Sequence, residues 1–135
     1  MKNSLSELSA LPEKLAVLVA EDNQASQLII RYFLQSLGAT CTIVDNGEQA
    51  VMQAREGTFD LIILDAMMPI VDGIKAVEMI RAEEDKAASS APIFLLTADA
   101  VGIEQGKYAH LDIQGTLAKP YTRTELANAL TRLFS

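Results

Sequence analysis

"LIILDAMMPIVDG", residues 61–73, runs apolar, meets a carboxylate at Asp65, and then bends through Pro69 to Gly73. A short apolar run without polar alternation reads as a parallel strand covered on both faces. An acid at its end sits where a rigid sheet fixes it and solvent still reaches it. Pro69 has no N–H to offer a ladder, so the strand cannot extend that far. Working outward, the third strand is "FDLIIL" (59–64), and the flanking segments alternate in the same way.

Upstream, "LAVLVA" (15–20) is a first buried strand. Helical spacing follows from Asn23 to Leu37, with Ile29, Ile30, Phe33, Leu34 and Leu37 on one side, and Gly38 supplies the stop. "TCTIV" (40–44) is a β-branched second strand. Asn46 and Gln49 resemble a capping pair for a helix that carries Ala50, Val51 and Ala54. Downstream, a helix from about Asp72 to Glu84 turns Ile74, Val77 and Ile80 inward, and "EEDKAASSAP" (83–92) reads as a soft loop. "IFLL" (93–96) is the fourth strand. The fourth helix is weakened by Gly102 and Gly106, each costing roughly 1 kcal/mol against Ala. "GTLA" (115–118) is a short fifth strand. Thr122 and Glu125 form a capping box for a last helix with the stripe Leu126, Ala129, Leu130 and Leu133. Five β–α pairs in strict alternation imply an α/β fold, one parallel sheet with helices on both faces.

The chain's 135 residues suit a single domain, and with half of them apolar it is no disordered tail. A net charge of −7 argues against non-specific binding to nucleic acid or anionic membrane. Cys41 is alone, which rules out an internal disulfide framework and fits a reducing compartment. No apolar run is long enough to span a bilayer, and "MKNSLSELSALPEK" (1–14) lacks a secretory apolar block, so a cytoplasmic location is expected.

Sheets of this kind bind ligands at the carboxyl ends of their strands. After the first strand stand Glu21 and Asp22, after the third Asp65, after the fourth Thr97, and after the fifth Lys119. Carboxylates gathered at one rim repel one another unless a cation joins them. A hard divalent ion such as Mg2+ takes oxygen ligands of this type. Asp65 could then attack a phosphoryl group in line, with Lys119 supplying positive charge and the Thr97 hydroxyl a hydrogen bond. Singly, each residue has a plainer reading: helix capping for the acidic pair, an Asx turn for Asp65, a solvated surface for Lys119. One group per strand end, in order, is a stronger signal.

"LVAEDN" (18–23), "LIILDAMMPIVDG" (61–73), "IFLLTADA" (93–100) and "LAKP" (117–120) resemble the landmarks of the receiver domain of two-component response regulators, most closely the receivers of hybrid histidine kinases. The resemblance covers about residues 15–135, which sets a receiver domain at 14–135 behind an arm or linker at 1–13. It implies a flavodoxin-like three-layer sandwich with strand order 2-1-3-4-5. It implies that Asp65 is the phosphoacceptor, that Glu21, Asp22, Asp65 and the Met67 backbone carbonyl surround Mg2+, that Thr97 is the switch hydroxyl, and that Lys119 is the phosphate partner. It further implies a cis Lys119–Pro120 bond and an open phosphoryl pocket beside the small Ala98.

One landmark departs from the family. Thr116 stands where an aromatic usually precedes the lysine by three residues, so the threonine–aromatic coupling of the switch is altered. Tyr108 and Tyr121 are the candidate replacements. Met67 and Asp99 flank the site, and of the two only Asp99 has a side chain able to orient water. His110, in "YAHLD" (108–112), reads as surface.

The expected function is a signalling switch in a phosphorelay, taking phosphate from a histidine kinase or histidine phosphotransfer protein and altering the surface around the fourth helix, fifth strand and last helix. No catalysis is expected beyond its own phosphorylation and dephosphorylation, and the expected state is a monomer or weak homodimer. A non-phosphorylated docking module is the alternative. A dehalogenase-type phosphatase would want an acid where Met67 stands, and a flavin carrier would want a phosphate loop where "EDNQAS" (21–26) is acidic.

Overall fold

The computed structural model describes residues 14–135, and the arm or linker expected over 1–13 lies outside the described residues. The elements run β1 (Ala16–Ala20), α1 (Gln24–Ser36), β2 (Thr40–Val44), α2 (Gly47–Glu56), β3 (Leu61–Asp65), α3 (Gly73–Arg81), α4 (Lys86–Ser89), β4 (Ile93–Thr97), α5 (Ala100–Glu104), β5 (Gly115–Ala118) and α6 (Arg123–Phe134). All strand pairings are parallel, and the order is β2-β1-β3-β4-β5, the flavodoxin-like arrangement. The order reverses between β1 and β3, which opens a crevice at their carboxyl ends.

The period-2 alternation of each strand divides the core in two. Leu18, Ile62, Leu64, Ile93 and Leu95 pack against Ala50, Val51 and Ala54 of α2 and Ala76, Val77 and Ile80 of α3. Val17, Val19, Leu61, Ile63, Phe94 and Leu96 pack against Ile30 and Leu34 of α1 and Leu126, Ala129 and Leu130 of α6. Every residue of β3 and β4 is buried. Each fully buried Leu or Ile is worth about 1.5–3 kcal/mol, so burial holds the strands under the crevice firmly in place.

Local chemistry sets the helix ends. Asn23, Asn46, Asp72 and Thr122 are N-caps, and both halves of the Thr122–Glu125 capping box form. Gly38, at φ +88°, ends α1 with the N–H of Ala39 on the Leu34 carbonyl, a closure that needs the left-handed region.

Four expectations change. The helix read as 72–84 ends at Arg81, because the Arg81 guanidinium folds back onto the carbonyls of Ser89, Ala91 and Asp112 and the Gln114 side chain. The loop after it contains a helical turn, α4, capped by Asp85. The helix after β4, here α5, has only five residues: Asp99 caps Gly102, and Gly106 at φ +76° closes it while Lys107 N–H bonds the Gly102 carbonyl. Ile29, assigned to the inner side of α1, is 49% exposed, since Ile30 and Leu34 suffice to cover the sheet there.

Candidate functional site

The rim of the crevice gathers the groups from four strand ends. Asp65 is the last residue of β3 and Thr97 the last of β4, each inside the strand rather than just beyond it. Glu21 follows β1 and keeps its ladder bond to the Val44 carbonyl at 3.0 Å. Lys119 follows β5 with its N–H on the Thr97 carbonyl at 2.8 Å, and its bond to Pro120 is cis. The backbone of each group is thus clamped by sheet bonding.

The Lys119 ammonium bridges two acids, reaching Glu21 Oε1 at 2.8 Å and Asp65 Oδ2 at 2.6 Å. Glu21 and Asp65 are buried, while Asp22 is exposed at the mouth. Carboxylate oxygens of Glu21, Asp22 and Asp65 lie within 4.8 Å of one another. The second oxygens are also held: Asn23 N–H donates to Glu21 Oε2 at 3.1 Å, and Met67 N–H donates to Asp65 Oδ1 at 3.0 Å. Formal charges of −3 from the acids and +1 from Lys119 leave −2 at the rim.

Burial pushes the Glu21 carboxyl above its ordinary value, and the neighbouring Asp65 charge adds to the rise against the pull of Lys119 and Asn23. Burial pulls Lys119 down, but its bonds to Asp65 and Glu21 outweigh that and leave the ammonium held more tightly than usual. Burial also pushes the Tyr121 phenol up to about 12, against the opposing charge of Lys119. The rim is short of positive charge. Its converging donors are all carboxylate oxygens, a set that suits a hard divalent cation such as Mg2+ better than zinc.

The loop after Asp65 fits only because residue 73 is glycine. A Cβ there would lie 2.2 Å from the Asp65 carbonyl oxygen, and the Gly73 N–H bonds the Ala66 carbonyl at 3.1 Å. Met67 rides on this loop with an 80% exposed side chain. Asp99 has its carboxylate on the Gly102 N–H and on Lys107, at 2.8 and 3.0 Å. Thr116 lies on β5 opposite Leu95 and borders a cavity of about 230 Å³. His110 is exposed.

Sequence reasoning passed over Gln27, whose Nε2 bonds the Glu21 carbonyl and Asp45 Oδ1. On a helical wheel it is an ordinary surface glutamine. An apolar hollow of about 350 Å³ beside Lys119, lined by Ser26, Ile29, Ala98, Pro120 and Tyr121, was also missed. Leu28 and Tyr32, 69% and 68% exposed, are further apolar surface on α1. Among the described residues, no helix is long and apolar enough to cross a membrane.

A family model described as the response regulator receiver domain matches residues 17–131. The sensor protein GacS of Pseudomonas syringae pv. syringae is 35% identical over 117 residues, 86% of this chain and 13% of that protein. The histidine-protein kinase BarA of Escherichia coli K12 is 32% identical over 118 residues, 87% of this chain and again 13% of the relative. The chain therefore spans only a small part of the length of these curated relatives. Among solved structures, the receiver domain of sensor histidine kinase PA1611 from Pseudomonas aeruginosa PAO1 is 36% identical, with a TM-score of 0.81 over 90% of this chain and 98% of that one. That structure holds a magnesium ion in its active-site cleft.

Proposed function

Because the chain belongs to the response regulator receiver domain family, we propose that it is the phosphoacceptor of a two-component phosphorelay, with Asp65 as the residue phosphorylated. The observation that carries this reading is the Lys119 ammonium held between the buried carboxylates of Glu21 and Asp65 at the mouth of the β1/β3 crevice. The N–P bond of a partner's phosphohistidine breaks as a bond from an Asp65 oxygen to phosphorus forms, and the imidazole leaves. Glu21, Asp22, Asp65 and the Met67 carbonyl would hold Mg2+, which when bound supplies charge neutralisation for the incoming phosphoryl oxygens.

The chain's own groups do the rest. The Met67 N–H fixes one Asp65 oxygen and so orients the carboxylate. Lys119 exchanges its bond to Asp65 for a phosphoryl oxygen, a move of little distance because it already sits on that carboxylate. The Thr97 hydroxyl donates to another phosphoryl oxygen, and the small Ala98 leaves room for it. This chemistry serves the chain's own phosphorylation and dephosphorylation and turns over no separate substrate. Added charge of about −1.5 to −2 biases the surface of α5, β5 and α6, the readout face.

The phosphodonor is a histidine kinase or histidine phosphotransfer protein, and the support for it is apolar surface next to the site. Ile29 of α1 lines the hollow together with Lys119 and Pro120, and Leu28 and Tyr32 add exposed apolar surface on the same helix. Residues 14–135 act as one receiver domain of a cytoplasmic signalling protein, a monomer or weak homodimer, and the acidic surface gives no footing for nucleic acid or membrane. The test is exposure to acetyl phosphate and Mg2+, or to a competent phosphohistidine donor. Intact mass should rise by one phosphoryl group, and the gain should vanish in Asp65→Asn and on chelation. No gain from either donor would overturn the proposal in favour of a docking module.

A further inference from the structure

The Thr97 hydroxyl is already engaged. Its Oγ1 accepts the Asp99 N–H at 3.0 Å and lies 2.9 Å from the hydroxyl of Tyr108, and both side chains are buried, at 4% and 6% exposure. A threonine hydroxyl has one proton and two lone pairs. With one lone pair taken by Asp99, donation to Tyr108 and donation to a phosphoryl oxygen compete for the same proton. On turning to a phosphoryl group, a Thr97 that donates to Tyr108 gives up that bond or accepts one from the phenol instead, and a Thr97 that accepts from Tyr108 draws its oxygen away from the phenol. Either change is felt by a buried tyrosine hydroxyl.

Tyr108 is placed to pass that change on. It belongs to the core cluster under α2 and α3, yet it also walls the cavity of about 230 Å³ bordered by Ile103, Leu111, Ile113 and Thr116. With threonine at 116, the volume beside β5 is open to the Tyr108 ring. The segment carrying Tyr108 is tethered in two further places, by Lys107 Nζ on Asp99 Oδ2 at 3.0 Å and by the same ammonium 5.5 Å from the Tyr108 ring centroid. Asp99, two residues after Thr97, thus shares the linkage from both ends.

We propose that Tyr108, rather than a residue of β5, is the positioning residue of the Thr97 hydroxyl, and that it carries the phosphorylation signal into the segment 99–114. The proposal rests on Asp65 being the phosphoacceptor. It makes the turn after α5 the moving part and leaves Thr116 as the wall that gives the ring its space.

The test uses 3-fluorotyrosine labelling, since the chain has only three tyrosines, Tyr32, Tyr108 and Tyr121. Tyr→Phe variants assign the three fluorine signals. Beryllofluoride with Mg2+ serves as the phosphoryl probe, and phosphoryl uptake from acetyl phosphate is read separately by intact mass. The Tyr108 signal should move when the probe binds, and should stay still in Thr97→Val, where the site remains but the hydroxyl is gone. Tyr108→Phe should raise the rate of phosphorylation by acetyl phosphate about 2- to 10-fold, the worth of one released hydrogen bond, and should change nothing further in the Thr97→Val background. A chain that gains phosphate while its Tyr108 signal is unmoved overturns this proposal alone. So does a rate in Tyr108→Phe that falls or stays level, or an equal change in both backgrounds. Absence of any mass gain instead removes the phosphoacceptor reading, and this proposal with it.

Discussion

Replacing Lys119 by methionine is the sharpest perturbation of the rim, because it keeps an unbranched stem and removes only the charge. The formal charge at the rim goes from −2 to −3, and Glu21 and Asp65 lose donors at 2.8 and 2.6 Å. Breaking a buried pair from one side costs about 3–5 kcal/mol. The lysine side chain is 25% exposed, which places the loss at the low end, about 3 kcal/mol. Urea unfolding in a chelator should record it as a midpoint about 1–3 M lower, with the slope unchanged.

Two further dependences identify the cause of that loss. Mg2+ should narrow the gap between the two proteins, because the variant offers the ion a more negative site. Each tenfold excess of ion over its dissociation constant is worth about 1.4 kcal/mol. Acid should narrow it too. The folded-state pKa of Glu21 is raised above the ordinary 4.5, so its protonated form favours the fold. That contribution is fully present below 4.5 and is lost as pH rises through the raised folded value. The variant raises Glu21 further and so suffers most at neutral pH and least once Glu21 takes its proton. A loss under about 1 kcal/mol, against the range for a broken buried pair, would refute the reasoning, as would a gap indifferent to both Mg2+ and mild acid.

Other perturbations test other parts of the rim. Gly73→Ala drives a Cβ to 2.2 Å from the Asp65 carbonyl oxygen. It should cost about 1–3 kcal/mol and slow phosphorylation of Asp65, and an unchanged unfolding midpoint would contradict the close approach. Ile70, 74% exposed, has φ +68° inside a tight turn closed by Val71 N–H on the Pro69 carbonyl at 2.8 Å. A β-branched residue is strained there by about 1–2 kcal/mol, so Ile70→Asn should stabilise the protein by roughly half of that, and any net loss in chemical denaturation would count against strain. Burial raises the Cys41 thiol above its ordinary 9.0, with Arg31 opposing. Stability from the protonated thiol is present below 9.0 and fades as pH rises through the folded value, and iodoacetamide should react more slowly than with the unfolded chain, still accelerating with pH where a free thiol levels off. Equal rates folded and unfolded would show the thiol to be open.

What the sequence disclosed and what it hid divide by range. The strands and caps were legible because their signals are local. Asn46 caps α2 by accepting the N–H of Gln49, only three residues away, and Thr122 with Glu125 announces α6 alone. The rim residues were legible because strand ends in a parallel sheet must line up, so order along the chain becomes adjacency in space. The Arg81 clamp was not legible, since its acceptors are carbonyls from 8 to 31 residues away that any sequence would offer. Ile29 was misplaced because a helical stripe gives the width of the apolar face but not which flank the neighbouring loop leaves bare. Tyr108 was visible as a candidate only. Its bond to Thr97 spans 11 residues and depends on α5 stopping after five residues, which rests on how Asp99 and Gly106 divide the segment.

Local and global preferences agree over most of this chain and conflict in one place. Caps, apolar stripes and strand alternation all point to the same fold. Against them stand a buried Glu21 and a buried Asp65 sharing one ammonium, and a left-handed Ile70 five residues beyond Asp65. Replacing buried ionic sets by well-packed apolar side chains is often neutral or favourable by about 1–4 kcal/mol, so stability alone does not keep acids at positions 21 and 65. Nor does solubility, which exposed acids such as Asp22 already supply. Under the proposed function, an incoming divalent ion would offset the −2 charge and a phosphoryl group would draw Lys119 away from Asp65. On that reading, the unfavourable charge of the rim is what would let binding there alter the fold.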